Sequence, residues 1–212
     1  STTAEGGAGG ADSAQTLYST TARTSLAIRI LGYIEITTGA TPGNWGTAPT
    51  TVQVMGPGVR CTGEIIQSVA TYTGAVATGS TGLPADDSIP QSGEGDQYMS
   101  LAITPVSSLN ILEIRVAAQV SLATTAATMV VALFQDATAS ALAASSFFAT
   151  TTTALFIPNL EFSLQAATTS ATTFKVRIGG NLGDTVTFNG TVGARLFGGV
   201  LVSSILIKEI FT

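Results

Sequence analysis

The sequence predicts an all-β protein, an antiparallel β-sandwich or jelly roll with a small N-terminal β unit. Apolar and polar residues alternate with a period of two wherever a period can be found. Turns rich in glycine separate these segments, and no repeat of about 40 residues, as in a propeller, is present. A period of two is typical of antiparallel strands with one buried and one solvent-exposed face. We therefore expect ten or more short strands.

The N-terminal part is expected to hold a glycine-rich lead or linker at residues 1–15 and a small β unit at residues 16–62. Its clearest strand spans residues 26–37, where four isoleucines share one face and Arg29, Tyr33 and Glu35 share the other. At about 60 residues this unit is marginal alone, so we expect it to pack on the second unit or on copies of itself. The first residues fit a chain trimmed of its Met and a piece of a longer polypeptide equally well.

The remainder, residues 63–212, is long enough for an eight-stranded jelly roll. Clear alternation predicts strands around residues 112–116, 160–164, 173–178 and 185–188. Residues 205–210 are apolar on both faces, which fits burial by a neighbouring subunit and, equally, a central strand of the chain's own sandwich. Residues 137–149 are the one stretch in which a short helix is conceivable, and their Ser and Thr content disfavours it.

Composition excludes several classes of function. The chain has 8 Lys and Arg against 13 Asp and Glu, a net charge of −5, and no basic stripe that could neutralise nucleic-acid phosphates. Histidine is absent, which removes His-based triads and His metal ligands. The sequence contains no run of about 20 predominantly apolar residues, which a membrane-spanning helix needs, so we expect no membrane insertion. The single Cys61 cannot close an internal disulfide, so stability must come from packing or assembly. We expect Cys61 to be a small structural residue near a glycine-rich turn, because only Arg60 is close enough in sequence to activate its thiol.

Two loops are the candidate contact sites. The loop at residues 38–49 carries Trp45, which could stack on a sugar or fold over a sheet edge. The loop at residues 74–95 carries Asp86 and Asp87, followed by Glu94 and Asp96. This acidic stretch could hold Ca²⁺, but it lacks the spacing of an EF-hand, so a solvated surface loop is the favoured interpretation. We name Trp45, Asp86 and Asp87 as surface-contact residues and expect no cofactor and no metal.

Catalysis is not expected. A glycosidase needs two positioned carboxylates, and polysaccharide-degrading enzymes usually line a groove with aromatic residues, whereas the chain has one Trp and four Tyr. Four glutamates, Glu35, Glu113, Glu161 and Glu209, lie on predicted strands near basic residues. We interpret them as outward-facing or interface ion pairs with Arg29, Arg115, Arg177 or Lys208.

Most of the chain resembles the C-terminal modules of structural proteins of tailed bacteriophages, of the tail-fibre and head-fibre type. The resemblance lies in framework strings and carries no catalytic residues. The strings are residues 11–25 (ADSAQTLYSTTARTS), 29–36 (RILGYIEI), 86–91 (DDSIPQ), 93–105 (GEGDQYMSLAITP), 173–179 (TFKVRIG), 187–190 (TFNG), 193–199 (GARLFGG) and 203–210 (SSILIKEI).

The resemblance implies a homotrimeric appendage of the virion, assembled in the host cytoplasm with other virion proteins and exposed on the particle. Low charge and abundant apolar residues are compatible with assembly. Two functions compete: a fibre module whose loops bind a host surface glycan or protein, and a capsid-attached head fibre, decoration or connector subunit with a purely structural role. In the first case we expect weak loop contacts strengthened by avidity, without turnover of the ligand.

Overall fold

The computed structural model describes residues 32–35, 51–54, 60–123 and 127–212. The chain divides between Arg60 and Cys61 into two units. In the first, β1 (Gly32–Glu35) pairs antiparallel with β2 (Thr51–Val54). The predicted lead at 1–15, most of the predicted strand at 26–37, and Trp45 with its loop lie outside the described residues.

The second unit contains the other strands. In chain order they are β3 (Ile65–Thr73), β4 (Ala77–Gly79), β5 (Asp96–Ile103), β6 (Ile111–Ala117), β7 (Val120–Leu122), β8 (Ala127–Gln135), β9 (Ala143–Ala149), β10 (Asn159–Gln165), β11 (Thr172–Gly180), β12 (Val186–Phe188), β13 (Gly190–Thr191), β14 (Ala194–Arg195) and β15 (Ser203–Ile210), with a short 3₁₀ turn at Phe197–Gly199.

Eight of these strands form two antiparallel sheets of four. One has the order β10-β6-β15-β3 and the other β5-β11-β8-β9. With one exception, β8 followed by β9, successive strands of this set lie in opposite sheets, which is the double-sheet arrangement of a jelly roll. The predicted all-β sandwich is therefore confirmed. A smaller sheet, β4-β12-β7, and the β13–β14 hairpin complete this unit.

The core lies between the two large sheets, and the alternation read from the sequence identifies its residues. On β6, Leu112, Ile114 and Val116 are buried while Arg115 is exposed, and β10 and β11 bury alternate residues in the same way. The predicted alternation is confirmed on these strands because each covers the core with one face only.

Strand β12 departs from its predicted alternation. Val186, Thr187 and Phe188 are all buried, because β12 is the middle strand of the three-stranded sheet and is covered on both faces. The Thr187 hydroxyl oxygen accepts a 3.0 Å hydrogen bond from the backbone N–H of Gly193. This partner makes the burial of a polar side chain tolerable.

A helix within residues 137–149 is ruled out. Residues Ala143–Ala149 form β9, which pairs with β8 along its whole length, from Ala149 opposite Ala127 to Ala143 opposite Leu133. Pairing with β8 satisfies the backbone groups along one side of this weakly patterned stretch, which local propensity could not anticipate. In the described part of the chain, no helix has the length and apolarity that crossing a membrane requires.

Strand β15 lies between β6 and β3, so it is central in its own sandwich. Ile205 and Ile207 are wholly buried in the core, whereas Leu206 and Ile210 on the outer face are half-buried. Burial of this outer face by a neighbouring subunit stays a prediction.

The predicted role of the strand glutamates is correct for one and wrong for another. Glu161 forms an exposed ion pair with Arg115, with 3.5 Å between Arg115 Nε and Glu161 Oε1. Glu209, by contrast, points inward and is wholly buried. It falls on the same face of β15 as Ile205 and Ile207, so the period of two that buries those side chains also buries the carboxylate.

Candidate functional site

Residues 83–96 cross the outer face of the sheet that contains β8. Leu83 is wholly buried against Val130, Ala132 and Phe134, which point away from the main core. Two backbone hydrogen bonds continue the attachment further along: Ser92 N–H donates to Ala139 O at 2.7 Å and Ala141 N–H to Pro90 O at 2.9 Å. The segment is therefore fixed to the sandwich at both ends and along one side.

Arg177 of β11 holds the distal end of this segment. Its guanidinium donates from Nε to Glu94 O at 2.8 Å and from Nη2 to Gly95 O at 2.7 Å. Arg177 thus binds two backbone carbonyls, and the predicted ion pair with a strand glutamate is wrong for this residue. Charge-assisted bonds of this kind are stronger than neutral ones, so they hold residues 94–95 firmly on the sheet.

The predicted loop at residues 74–95 has more structure than its composition indicated. It contains strand β4 (Ala77–Gly79) and an isolated bridge between Gln91 and Ser140. Residues 80–95 still carry the acidic side chains, and Asp86 and Asp87 are both exposed as predicted for a surface loop.

Asp86, Glu94 and Asp96 form local hydrogen bonds. The Asp86 carboxylate accepts from Ser88 N–H at 2.8 Å and from the Ser88 hydroxyl, and these two hydrogen bonds lower the pKa of Asp86 below its ordinary value. Glu94 accepts from Gln91 N–H at 2.8 Å, and Asp96 accepts from the N–H and the hydroxyl of Thr81. The described residues contain no group of three or more His, Cys, Asp or Glu placed to hold a metal ion. The Ca²⁺ alternative therefore gains no support from this part of the chain.

Between residues 84–90 and strand β9 lies a shallow depression, which we call the β9 groove. It comprises two adjoining parts of about 310 and 400 Å³, which share Asp86, Ser88, Pro90 and Ala144. Val130 is part of its floor. The β9 side of the groove is formed by Ala143, Ala144, Ser145 and Ser146.

A third depression of about 200 Å³ continues the β9 groove past Ser145 and Ser146. Phe147 and Phe156 line it, with ring centroids 4.6 Å apart and an angle of 36° between the ring planes. The line of depressions therefore combines a carboxylate and serine hydroxyls at one end with aromatic surface at the other. Hydroxyl-rich ligands such as sugars are recognised by this combination of hydrogen-bonding groups and apolar rings.

The sequence indicated only one side of this groove. Asp86 and Asp87 were predicted as contact residues, and both line it. The opposite side, Ala144 to Ser146, was missed, because its residue types do not alternate and the stretch had no clear strand pattern. Trp45, the third predicted contact residue, lies outside the described residues.

Comparison with known proteins yields distant structural likeness. No protein-family model and no curated protein matches the sequence. The chain is similar to the Eiger TNF of S. frugiperda, with 10% identity and a TM-score of 0.39 over 68% of this chain and 93% of that one. It is similar to a chain of the infectious bursal disease virus Gt strain, with 14% identity and a TM-score of 0.33 over 79% of this chain and 42% of the other. It is also similar to the enzymatically active domain of tailspike protein 4 of bacteriophage CBA120, with 14% identity and a TM-score of 0.21 over 69% of this chain and 19% of that one. At such scores the fold assignment rests on the strand order of this chain, and no function is transferred.

Proposed function

We propose that the chain is a structural protein of a bacteriophage virion, a module of a homotrimeric fibre that contacts the host surface through the β9 groove. The resemblance of its framework strings to fibre proteins of tailed bacteriophages supports the virion assignment. The proposed ligand is a glycan or a glycosylated protein of the bacterial surface, bound without turnover.

The observation that carries the attachment role is the construction of the β9 groove. Its acidic side, residues 84–90, is a loop, yet Leu83 and Arg177 hold it on the rigid sandwich. Binding residues on loops that a rigid scaffold positions are the usual arrangement in recognition proteins. Exposed serine hydroxyls donate and accept hydrogen bonds, and the Asp86 carboxylate accepts them, so the groove suits neutral hydroxyl-rich ligands.

Affinity at one groove is expected to be low, because the depression is shallow and its side chains are small. Three copies on one appendage raise the effective concentration of the second and third binding events. A gain of roughly 100-fold or more in apparent affinity is typical of such linked sites. A homotrimer would therefore strengthen attachment through three individually weak grooves.

The test is binding of the purified full chain to immobilised bacterial surface polysaccharides, namely a panel of lipopolysaccharides, capsular polysaccharides and teichoic acids. Ala144→Trp fills the groove from β9, where Ala144 is exposed. Ala102→Trp is the matched control, because Ala102 is an exposed alanine on β5, the opposite edge strand of the same sheet. We expect Ala144→Trp to abolish binding and Ala102→Trp to retain it.

Other outcomes decide between the proposal and its competitors. Binding that survives Ala144→Trp but is lost in Trp45→Ala would move the contact site to the loop at residues 38–49. No binding to any polysaccharide or to host cells by the intact trimer would favour the capsid-attached structural role. Shortened polysaccharide chains after incubation would reveal an enzyme. Labelling of virions with a gold-conjugated antibody against the chain would show whether it lies at the tail or on the capsid.

A further inference from the structure

Strand β3 is an edge strand with an unusual sequence for such a position. It spans nine residues, Ile65–Thr73, and its sequence IIQSVATYT contains no charged residue and no proline. It pairs with β15 on one side, and among the described residues no strand pairs with its other side. Natural sheets usually protect a long exposed edge with lysine, proline or a bulge that twists the edge away. Here the one register shift places a bulge at Ile66, at the start of β3, and leaves Gln67–Thr73 in regular register along the edge.

The outer face of the sheet is apolar next to this edge. At one end, Ile65 is opposite Ile210, which in turn is opposite Ile111 on β6. Nearer the middle, Ala70 is opposite Leu206. These rows therefore bring apolar side chains of adjacent strands together on the side away from the core.

The apolar surface continues to the other end of β3. Tyr72 is 69% exposed and Val202, just before β15, is 38% exposed. A Cβ added to Gly74 would collide with the Gly199 carbonyl, so the turn that carries Val200, 79% exposed, packs beside this end. Exposed apolar surface of this extent, alongside an open edge, is typical of an interaction site.

Charge distribution indicates what kind of partner fits. The charged side chains of this outer face are Arg115, Lys208, Glu113 and Glu161, so its formal charge is zero although the whole chain carries −5. By contrast, residues 83–96 on the opposite sheet carry four acidic side chains, and the basic residues on the same outer face of β11 are Lys175 and Arg177. Assembly brings together chains that each carry a net charge of −5, so the surfaces that meet should contribute little like charge. Within this face, β3 and β15 carry a single charged outward side chain, Lys208, so a second copy of this chain can pack on these two strands with little repulsion.

We infer that the edge of β3, together with the adjoining outer face of β15, is the surface at which a second copy of this chain packs. The inference rests on the proposed homotrimer and assigns its interface. Pairing of two β3 edges with each other would close at two copies. A trimer requires a heterologous contact, in which the β3 edge and the adjoining β15 face of one copy meet a different surface of the next.

The experiment measures the mass of the full chain by light scattering at micromolar concentration, with two serine variants. Ser68 of β3 and Ser163 of β10 are both exposed and lie in one row of the outer face, Ser68 opposite Lys208, Lys208 opposite Glu113 and Glu113 opposite Ser163. Ser68→Lys places a charge inside the inferred interface, and Ser163→Lys places the same charge outside it.

We expect the wild type and Ser163→Lys to have the mass of three 21.4 kDa chains and Ser68→Lys that of one. Burial of an unpaired charge implies a fall of roughly 100-fold or more in the association constant. Far-UV circular dichroism of both variants should remain that of the wild type, since both positions are exposed.

The outcomes separate this interface from the proposed trimer. A wild-type trimer that persists in Ser68→Lys overturns the interface and leaves the trimer standing. A wild-type dimer dissociated by Ser68→Lys keeps the interface and overturns the trimer. A wild-type monomer overturns both. Polysaccharide binding is measured separately, so failure of attachment is distinguishable from each of these results.

Discussion

The carboxylate of Glu209 accepts a hydrogen bond from the side-chain amide of Asn110, with 2.6 Å between Oε1 and Nδ2, although the two residues are 99 positions apart. The same carboxylate accepts from Gln67 Nε2 at 2.6 Å and from the backbone N–H groups of Val106 and Ser107. A buried carboxylate with several donors, and with no ion-pair partner among the described residues, ties β15, β3 and the β5–β6 connection together. Donors to an ionised acceptor form the stronger class of hydrogen bond.

Replacement of this carboxylate is expected to be costly. Glu209→Gln turns one oxygen into an NH₂ group that faces other donors, which leaves buried donors without an acceptor. We expect a loss of about 2–3 kcal/mol in the free energy of unfolding. The measurement is the urea midpoint at fixed protein concentration, with Glu161→Gln, an exposed glutamate, as the control. Equal midpoints for the two variants would contradict the structural role of Glu209.

Acid should weaken the fold through the same group. Burial raises the pKa of Glu209, but the hydrogen bonds from Gln67, Asn110, Val106 and Ser107 outweigh it, and the net pKa lies below the ordinary 4.5. A lowered folded-state pKa contributes stability above 4.5 that is lost as pH falls toward and through the lowered value. As pH falls below 4.5, we expect the urea midpoint of the wild type to fall more steeply than that of Glu209→Gln. Parallel pH profiles would show that Glu209 is not the group responsible.

Asn189 connects three parts of the jelly roll. Its Nδ2 donates to Thr73 O at 2.8 Å and to Ala75 O at 3.0 Å, while its Oδ1 accepts from the Ser203 hydroxyl at 2.6 Å. Its φ of 56° is a left-handed conformation that Asn adopts more readily than most residues. Asn189→Asp keeps the shape but turns an acceptor toward two carbonyls. We expect a destabilisation of about 3 kcal/mol or more, growing as pH rises and the carboxyl ionises. A difference in thermal midpoint between Asn189→Asp and the wild type that stays constant as pH rises would contradict this.

Tyr98 carries a buried hydroxyl that we expect to contribute nothing to stability. The hydroxyl oxygen is buried and has no hydrogen-bond partner among the described residues, while the ring stacks on Phe188 at 5.0 Å between centroids. Burial, assisted by the Asp96 carboxylate, raises the pKa of Tyr98, so the hydroxyl stays protonated. Tyr98→Phe retains the stacking and removes the unpaired group. We expect the free energy of unfolding, measured by urea titration, to stay the same or to rise by up to about 1 kcal/mol. A clear loss would reveal a partner for this hydroxyl.

The ion pair between Arg115 and Glu161 should matter little for stability. The side chains are 51% and 70% exposed, so solvent screens the 3.5 Å contact. We expect Arg115→Ala to change the free energy of unfolding by less than about 1 kcal/mol. The double-mutant cycle with Glu161→Ala measures the pair alone, and a coupling energy several times larger would contradict this expectation.

Local pattern was sufficient for the fold class and for much of the core. On β6, β10 and β11 the alternation of apolar and polar side chains reports directly which face is buried, because successive residues of a strand point to opposite sides. It was insufficient for β9, whose residues Ala143–Ala149 carry no clear alternation and become a strand through pairing with β8.

The candidate site needed the tertiary structure. Asp86 and Asp87 were recognisable as exposed acidic residues, but their placement beside Ser145 and Ser146 depends on Leu83 packing against the outer face of β8. The sequence of neither stretch indicates that the two lie side by side in the fold.

The sequence by itself thus determined an all-β chain of low charge, without histidine and with a periodic core. Only the tertiary structure decided that Glu209 is an internal anchor rather than a surface charge, and that residues 84–90 and β9 enclose one groove. The physical reason is the separation along the chain over which each feature arises. Side-chain alternation is a local consequence of strand geometry, whereas hydrogen-bond partners and grooves arise between segments about 50 to 140 residues apart, as with Glu209 and Gln67, 142 positions from each other.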